Sequence, residues 1–157
     1  MIIEVSDWRF QVDVEATQEH TTRNSADHCN CAYCRNYYEA VDRSYPELRN
    51  FLGQFGINME GPSELMPFTP TLMLACYRVH GKVLQWGSDI IQASRIPILP
   101  ELSDEDGCFF LWVGELELPW LQEEDMDEVV SPANLPEFLE RMQEVWLRRH
   151  GETLFYS

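Results

Sequence analysis

Basic residues are scarce in this chain: 11 Lys and Arg stand against 27 Asp and Glu, a formal net charge of -16 over 157 residues. No cluster of Lys or Arg is large enough to override that field, so a phosphate backbone would be repelled and no nucleic acid is expected as a partner. A basic protein is the kind of partner such a surface fits. Long apolar runs are also missing. Nothing approaches the ~18 consecutive apolar residues that span a bilayer, so no membrane segment is expected. The first residues alternate polar and apolar, without a charged start leading into an apolar stretch, which predicts a cytoplasmic protein. Catalytic fingerprints are absent as well: there is no G-x-S-x-G, P-loop, H-E-x-x-H or dinucleotide motif, and the four histidines are scattered. Nothing here argues for hydrolase or nucleotide chemistry.

What is present is ordinary globular material, 45% hydrophobic and 24% charged, which argues against disorder despite the net charge. A chain of this length buries about two-thirds of its unfolded surface and needs no staple to fold, so a single domain over 1–157 is expected. Any metal is then an addition to the fold.

Residues Trp8 to Glu15 alternate strictly, predicting a half-buried strand with Trp8, Phe10, Val12 and Val14 inward. Residues 17–28, TQEHTTRNSADH, contain almost nothing apolar and read as an exposed loop. Asn30 is an N-cap candidate for a helix from Cys31, with Cys34, Tyr37, Tyr38 and Val41 on one face. Ser44-Tyr45-Pro46-Glu47 matches a capping box for a second helix whose face is Leu48, Phe51, Leu52 and Phe55, with Gly56 at its end.

The stretch 71–87 is rich in strand formers, and His80-Gly81 within it is a hairpin candidate. Leu72, Leu74 and Cys76 alternate with Met73, Ala75 and Tyr77, so both faces are apolar and the strand is expected to be central. Cys108 to Leu118 predicts another strand, ended by Pro119. Phe138, Leu139, Met142, Val145 and Trp146 share one face of an expected C-terminal helix that runs from a cap at Asn134 to Gly151. The expected fold is α+β: a mainly antiparallel sheet of about four to five strands, two short helices after the cysteine cluster and the C-terminal amphipathic helix. The acidic runs 103–106 and 121–128 read as solvated loops, and the D-x-D-x-D-G spacing of a calcium loop is absent.

Chemistry concentrates in His28-Cys29-Asn30-Cys31-Ala32-Tyr33-Cys34. Five cysteines, an odd number without a secretion signal, favour reduced thiols or a metal over a disulfide framework. Cys29 and Cys31 are two apart on an extended approach, and Cys31 and Cys34 three apart on a helix, so three sulfurs can converge at a helix start. Backbone N–H groups and the dipole there stabilise thiolates.

A closed zinc site needs four ligands, and this segment supplies one half of the usual pair of C-x-x-C units. The expected metal set is Cys29, Cys31, Cys34 and His28. His28 is convenient in sequence but points opposite to Cys29 in an extended segment, so His20, His80, Cys76 and Cys108 are alternatives for the fourth position. Two further readings stay open. Cys31-Ala32-Tyr33-Cys34 is a C-x-x-C redox motif, lacking the preceding parallel strand of a thioredoxin-like unit. The thiols can also simply pack around the helix start, as Cys76 and Cys108 are expected to pack inside strands.

The segment Cys29-Asn30-Cys31-Ala32-Tyr33-Cys34-Arg35-Asn36-Tyr37, followed by Phe55-Gly56-Ile57, Pro62-Ser63-Glu64, Val79-His80-Gly81-Lys82 and Leu118-Pro119-Trp120, resembles a family of short bacterial proteins with a C-x-C-x-x-C-R-N-[YF] core. The resemblance spans roughly residues 28 to 120 and implies a bacterial origin. It carries over no activity and no functional residue. The functional expectation is a small acidic cytoplasmic binding protein whose cysteine cluster is structural or binds zinc; the alternative is a thiol-dependent enzyme or redox sensor acting through Cys31 and Cys34.

Overall fold

A computed structural model describes residues 1–26, 31–69 and 71–123. In chain order these form β1 (Ile2–Val5), β2 (Trp8–Val12), α1 (Val14–Ala26), α2 (Ala32–Ser44), α3 (Pro46–Gly53), β3 (Glu64–Thr69), β4 (Leu72–Gln85), β5 (Ile91–Ala93), β6 (Ile96–Leu102) and β7 (Cys108–Glu117). The described strands make one seven-stranded sheet in the order β1-β2-β4-β7-β6-β5, with β3 paired to β4 beside that path. Every pairing is antiparallel. The α+β class with an antiparallel sheet is therefore as expected, with more strands than the sequence pattern indicated. No described helix is long and apolar enough to cross a membrane. The expected C-terminal helix lies outside the described residues.

The central strand is β4. Residues 72–80 pair with β7 and residues 72–76 with β3, whereas residues 81–85 pair with β2. His80-Gly81 is thus no hairpin turn; the strand runs through it and changes partner. Gly81 has φ +151°, and a Cβ there would stand 2.0 Å from the carbonyl oxygen of Gln11, so only glycine admits the β2 backbone this closely.

Both faces of β4 are buried, as its double apolar pattern predicts. Met73, Ala75, Tyr77 and Val79 join Phe10, Phe55, Phe109 and the α2 and α3 side chains Tyr37, Val41, Leu48 and Leu52 in the larger core. Leu74 and Cys76 face a second apolar cluster with Met66, Leu99 and Trp112. Inside the larger core the Tyr37 hydroxyl donates to that of Tyr77, which in turn donates to the carbonyl of Met59 at 2.6 Å. Burial pushes both phenols up, Tyr77 well above the usual tyrosine range.

Residues 14–26 are helical, where a strand reaching Glu15 and then a polar loop over 17–28 were expected, and the strand before them ends at Val12 without taking in Val14. Hydrogen bonding compensates for the missing apolar stripe. Asp13 Oδ1 accepts from the Ala16 N–H at 3.0 Å and caps the helix. Thr17 and Thr21, four apart and fully buried, donate to the carbonyls of Asp13 and Thr17 at 2.8 and 3.0 Å. Their oxygens then accept from the backbone N–H groups of His80 at 3.0 Å and Asn58 at 2.8 Å. A polar helix docks because its buried groups are all satisfied.

The capping expectations also shift. Cys31 occupies the N-cap position of α2 with no side-chain cap bond, while Asn30 lies outside the described residues. The Ser44–Glu47 capping box does not form: α2 continues through Ser44, Tyr45 precedes α3, and Pro46 fills the first turn, where it forfeits no bond. The Glu47 carboxylate instead accepts from Ser94 Oγ at 2.5 Å.

Candidate thiol site at the start of α2

Cys31 is exposed, with φ -72° and ψ 163°, and its carbonyl accepts the Arg35 N–H at 2.9 Å. Cys34 follows one turn later and is half-buried. Cys31 therefore stands at the extended-to-helical transition that the spacing argument requires. The helix buries Asn36, Tyr37, Ala40 and Val41, a face turned slightly from the expected one, which leaves Cys34 and Tyr38 at its margin.

Asn36 fixes this helix start, and its role was not foreseen. Its side chain is fully buried; Nδ2 donates to the Pro119 carbonyl at 3.1 Å and Oδ1 accepts from the Leu121 N–H at 2.7 Å. The segment leaving β7 is thereby clamped across the first turns of α2. Beside the clamp the rings of Tyr33 and Trp120 meet edge to face, 6.4 Å between centroids. Burial, and then the nearby Cys31 thiol, raise the Tyr33 phenol above its ordinary range. The two thiols thus lie on a helix start bordered by aromatic rings and held by paired amide bonds. Asn36 on the apolar face of the helix is the one sequence signal that could have revealed the clamp, since a buried amide demands partners.

His28 and Cys29 lie outside the described residues. The remaining ligand candidates are placed elsewhere. His20, on α1, stacks edge to face on His80 of β4 at 5.5 Å between ring centroids. Burial lowers the His20 pKa, and the charges of His80, Arg78 and Arg23 lower it further. Cys108 stands across from His80 in the β4–β7 register and donates from Sγ to the Glu105 carbonyl at 3.6 Å. Cys76 packs with Trp112 in the second cluster. Among the described residues no group of three or more His, Cys, Asp or Glu side chains is placed to hold a metal ion.

A cleft of about 570 Å³ opens between the start of α1 and the Gly81 crossing, lined by Asp13, Glu15, His80 and Lys82, the one lysine of the chain. Its lining includes none of the thiols.

Carboxylates dominate the surface. Of the described Asp and Glu residues, only Glu101 is buried and Glu60 half-buried. Ion pairs join Arg9 to Glu4, Arg49 to Asp42 and Glu60, and Arg78 to Glu105. The acidic run at 104–106 is exposed in the β6–β7 connection, as expected of a solvated loop. Comparison of the chain with protein-family models, with curated proteins and with solved structures returns no match.

Proposed function

We propose that the protein is a small acidic binding protein of the cytoplasm that engages a basic protein partner and performs no catalysis, and that its cysteine segment organises the start of α2 around zinc. The observation that carries the binding reading is the exposure of nearly every described carboxylate on a chain of net charge -16. Such a surface steers a cationic partner and raises its association rate in a salt-dependent way. Zinc would take Cys31 and Cys34 from the helix start, with Cys29 and His28 completing the tetrahedron; two thiolates three residues apart at a helix N-terminus suit its preference for sulfur. Kinship with the short bacterial proteins that share the C-x-C-x-x-C-R-N core belongs to the same proposal.

A second reading, a thiol-dependent enzyme or redox sensor, is favoured by the exposure of Cys31 at the N-cap of α2, where a reagent can reach it. Against it, α1 precedes the motif and the described sheet is antiparallel throughout, so no βαβ unit presents the C-x-x-C.

One experiment separates them: metal analysis of the purified protein together with thiol titration. About one zinc per chain with slowly reacting thiols is the expected result. A metal-free protein with a fast-reacting cysteine of low pKa would overturn the zinc reading and favour the redox one.

A further inference from the structure

Positive charge is scarce in this chain, yet the seam between α1 and β4 gathers four groups that carry it or can take it up. His20 and Arg23 are three residues apart on α1 and so share a helix face. Arg78 and His80 are two apart on β4 and so share a face of the strand. The two pairs meet where the rings of His20 and His80 stand edge to face, 5.5 Å between centroids. Backbone bonds fix the seam: Thr17 Oγ1 accepts the His80 N–H at 3.0 Å, and the Asp13 N–H donates to the His80 carbonyl at 2.8 Å. The four side chains are thus assembled before any ligand arrives, which removes the ordering cost of gathering them.

Their charges oppose one another. Burial first, and then the charges of His80, Arg78 and Arg23, hold the His20 pKa below its usual range. Arg23 is exposed and joins no ion pair among the described residues. Arg78 is paired through one terminal nitrogen with Glu105, while its Nε N–H is buried without a hydrogen-bond partner. The Glu105 side chain is 69% exposed in the β6–β7 connection, and a surface pair of that kind contributes little. Glu105 therefore shows which species the seam accepts, an oxyanion, and is itself easily displaced.

We infer that this seam binds a small phosphate-class oxyanion, held by Arg78 and Arg23 with His20 and His80 donating through their ring N–H groups. A phosphate dianion presents enough acceptor oxygens for a planar guanidinium fork and two imidazole donors, whereas a monocarboxylate brings less charge and two oxygens. A nucleic-acid backbone meets the whole acidic surface, but a small ion meets only the seam, because the field of distant carboxylates is screened beyond about 8 Å at physiological salt. The adjoining cleft of about 570 Å³, which His80 and Lys82 also line, has room for the remainder of a phosphate ester. The site goes beyond the zinc and basic-partner readings and stands or falls without them.

The full-length protein is titrated with inorganic phosphate near neutral pH, with ionic strength held constant by sodium chloride, while NMR follows the imidazole signals of His20 and His80. Saturable shifts of both rings are expected. Arg78→Gln should weaken the apparent affinity about tenfold and Arg23→Gln about threefold. Glu105→Gln should strengthen it about threefold, because it removes the carboxylate that competes for Arg78. Glycerol phosphate, titrated in the same way, separates two sources of the dianion: tighter binding than inorganic phosphate assigns an ester whose remainder enters the cleft, and equal binding assigns the free ion. An equal response to acetate or chloride is general screening and would overturn the site. So would ring shifts that both arginine variants leave unchanged, or an affinity that Glu105→Gln lowers. Should Arg78→Gln fail to fold, the exposed positions Arg23 and Glu105 carry the same test with opposite expected signs.

Discussion

Replacing Asn36 by Ala tests whether the start of α2 is held by the amide clamp. The side chain is fully buried and makes two hydrogen bonds, from Nδ2 to Pro119 O and from Leu121 N–H to Oδ1. Each such bond is worth about 1 kcal/mol net, and the two backbone groups it leaves behind are only partly reachable by water, so the loss should be about 2–3 kcal/mol. For a chain of this size that corresponds to a fall in Tm of about 5–10 °C. Urea unfolding followed by far-UV circular dichroism measures the stability, and the labelling rate of Cys34 measures the local effect: it should rise more than that of Cys108, because the clamp lies two residues from Cys34.

Asn36→Asp sharpens the test. An ionised carboxylate keeps the acceptor for Leu121 but turns a second acceptor toward the Pro119 carbonyl, so it should cost at least as much near neutral pH. Burial beside a carbonyl raises the carboxyl pKa in the folded state, and the protonated acid regains a donor. Its deficit relative to the parent chain should therefore shrink as pH falls into the carboxylate range. A deficit below about 0.5 kcal/mol for Asn36→Ala, within the range of an ordinary surface substitution, would refute the reasoning.

Three further outcomes are expected. Gly81→Ala forces a Cβ against the Gln11 carbonyl at a backbone angle that L residues rarely adopt; it should cost more than about 3 kcal/mol or prevent folding, read from soluble yield and urea midpoint. Thr21→Val keeps the volume but removes the acceptor of the Asn58 N–H, and should cost about 1–2 kcal/mol, whereas Thr22→Val, exposed one position on, should be near neutral in the same unfolding assay. His20 has a lowered pKa when folded, so the unfolded chain binds the extra proton: its contribution is intact above about pH 6.5 and is lost as pH falls below that value toward the lower folded one. His20→Gln should flatten that part of the stability–pH curve, and an unchanged slope would show that His20 does not couple α1 to β4.

The strands and helices that the sequence announced are those with apolar periodicity. Strands β2, β4 and β7, and helices α2 and α3, carry alternation or helical stripes that burial then satisfies. Proline conceals β3 and β6. Pro67 lies in β3, which pairs with β4 beside the main path of the sheet, and Pro100 lies in β6 beyond the point where β5 stops pairing, at Ile98. Pro97, also in β6, pairs with β5 but precedes the pairing with β7, which begins at Ile98. Each of the three prolines thus has a paired strand on one side only, where a missing N–H is tolerated, a topological fact that no local pattern contains. Helix α1 is concealed by the opposite device, hydroxyls buried in place of methyls. Thr17 and Thr21 look like loop residues until the N–H groups of His80 and Asn58 arrive from positions 63 and 37 residues away.

The same distinction governs the thiol site. The placement of Cys31 and Cys34 at a helix start is local and was legible; which distant residues come near them is a long-range question and was not. His20 is engaged with His80 across the α1–β4 contact, Cys108 is bonded to the Glu105 carbonyl, and Cys76 is buried with Trp112. Moving any of them to α2 would break packing that the sheet itself requires. Under the zinc proposal the remaining ligands therefore fall to Cys29 and His28, beside Cys31 in the chain. Cys29→Ser should abolish stoichiometric zinc in plasma mass spectrometry of the purified protein, while Cys108→Ser and His80→Gln should retain it. Zinc kept by Cys29→Ser but lost from Cys108→Ser or His80→Gln would mean that the metal recruits the sheet after all, and the local assignment of the site would fall.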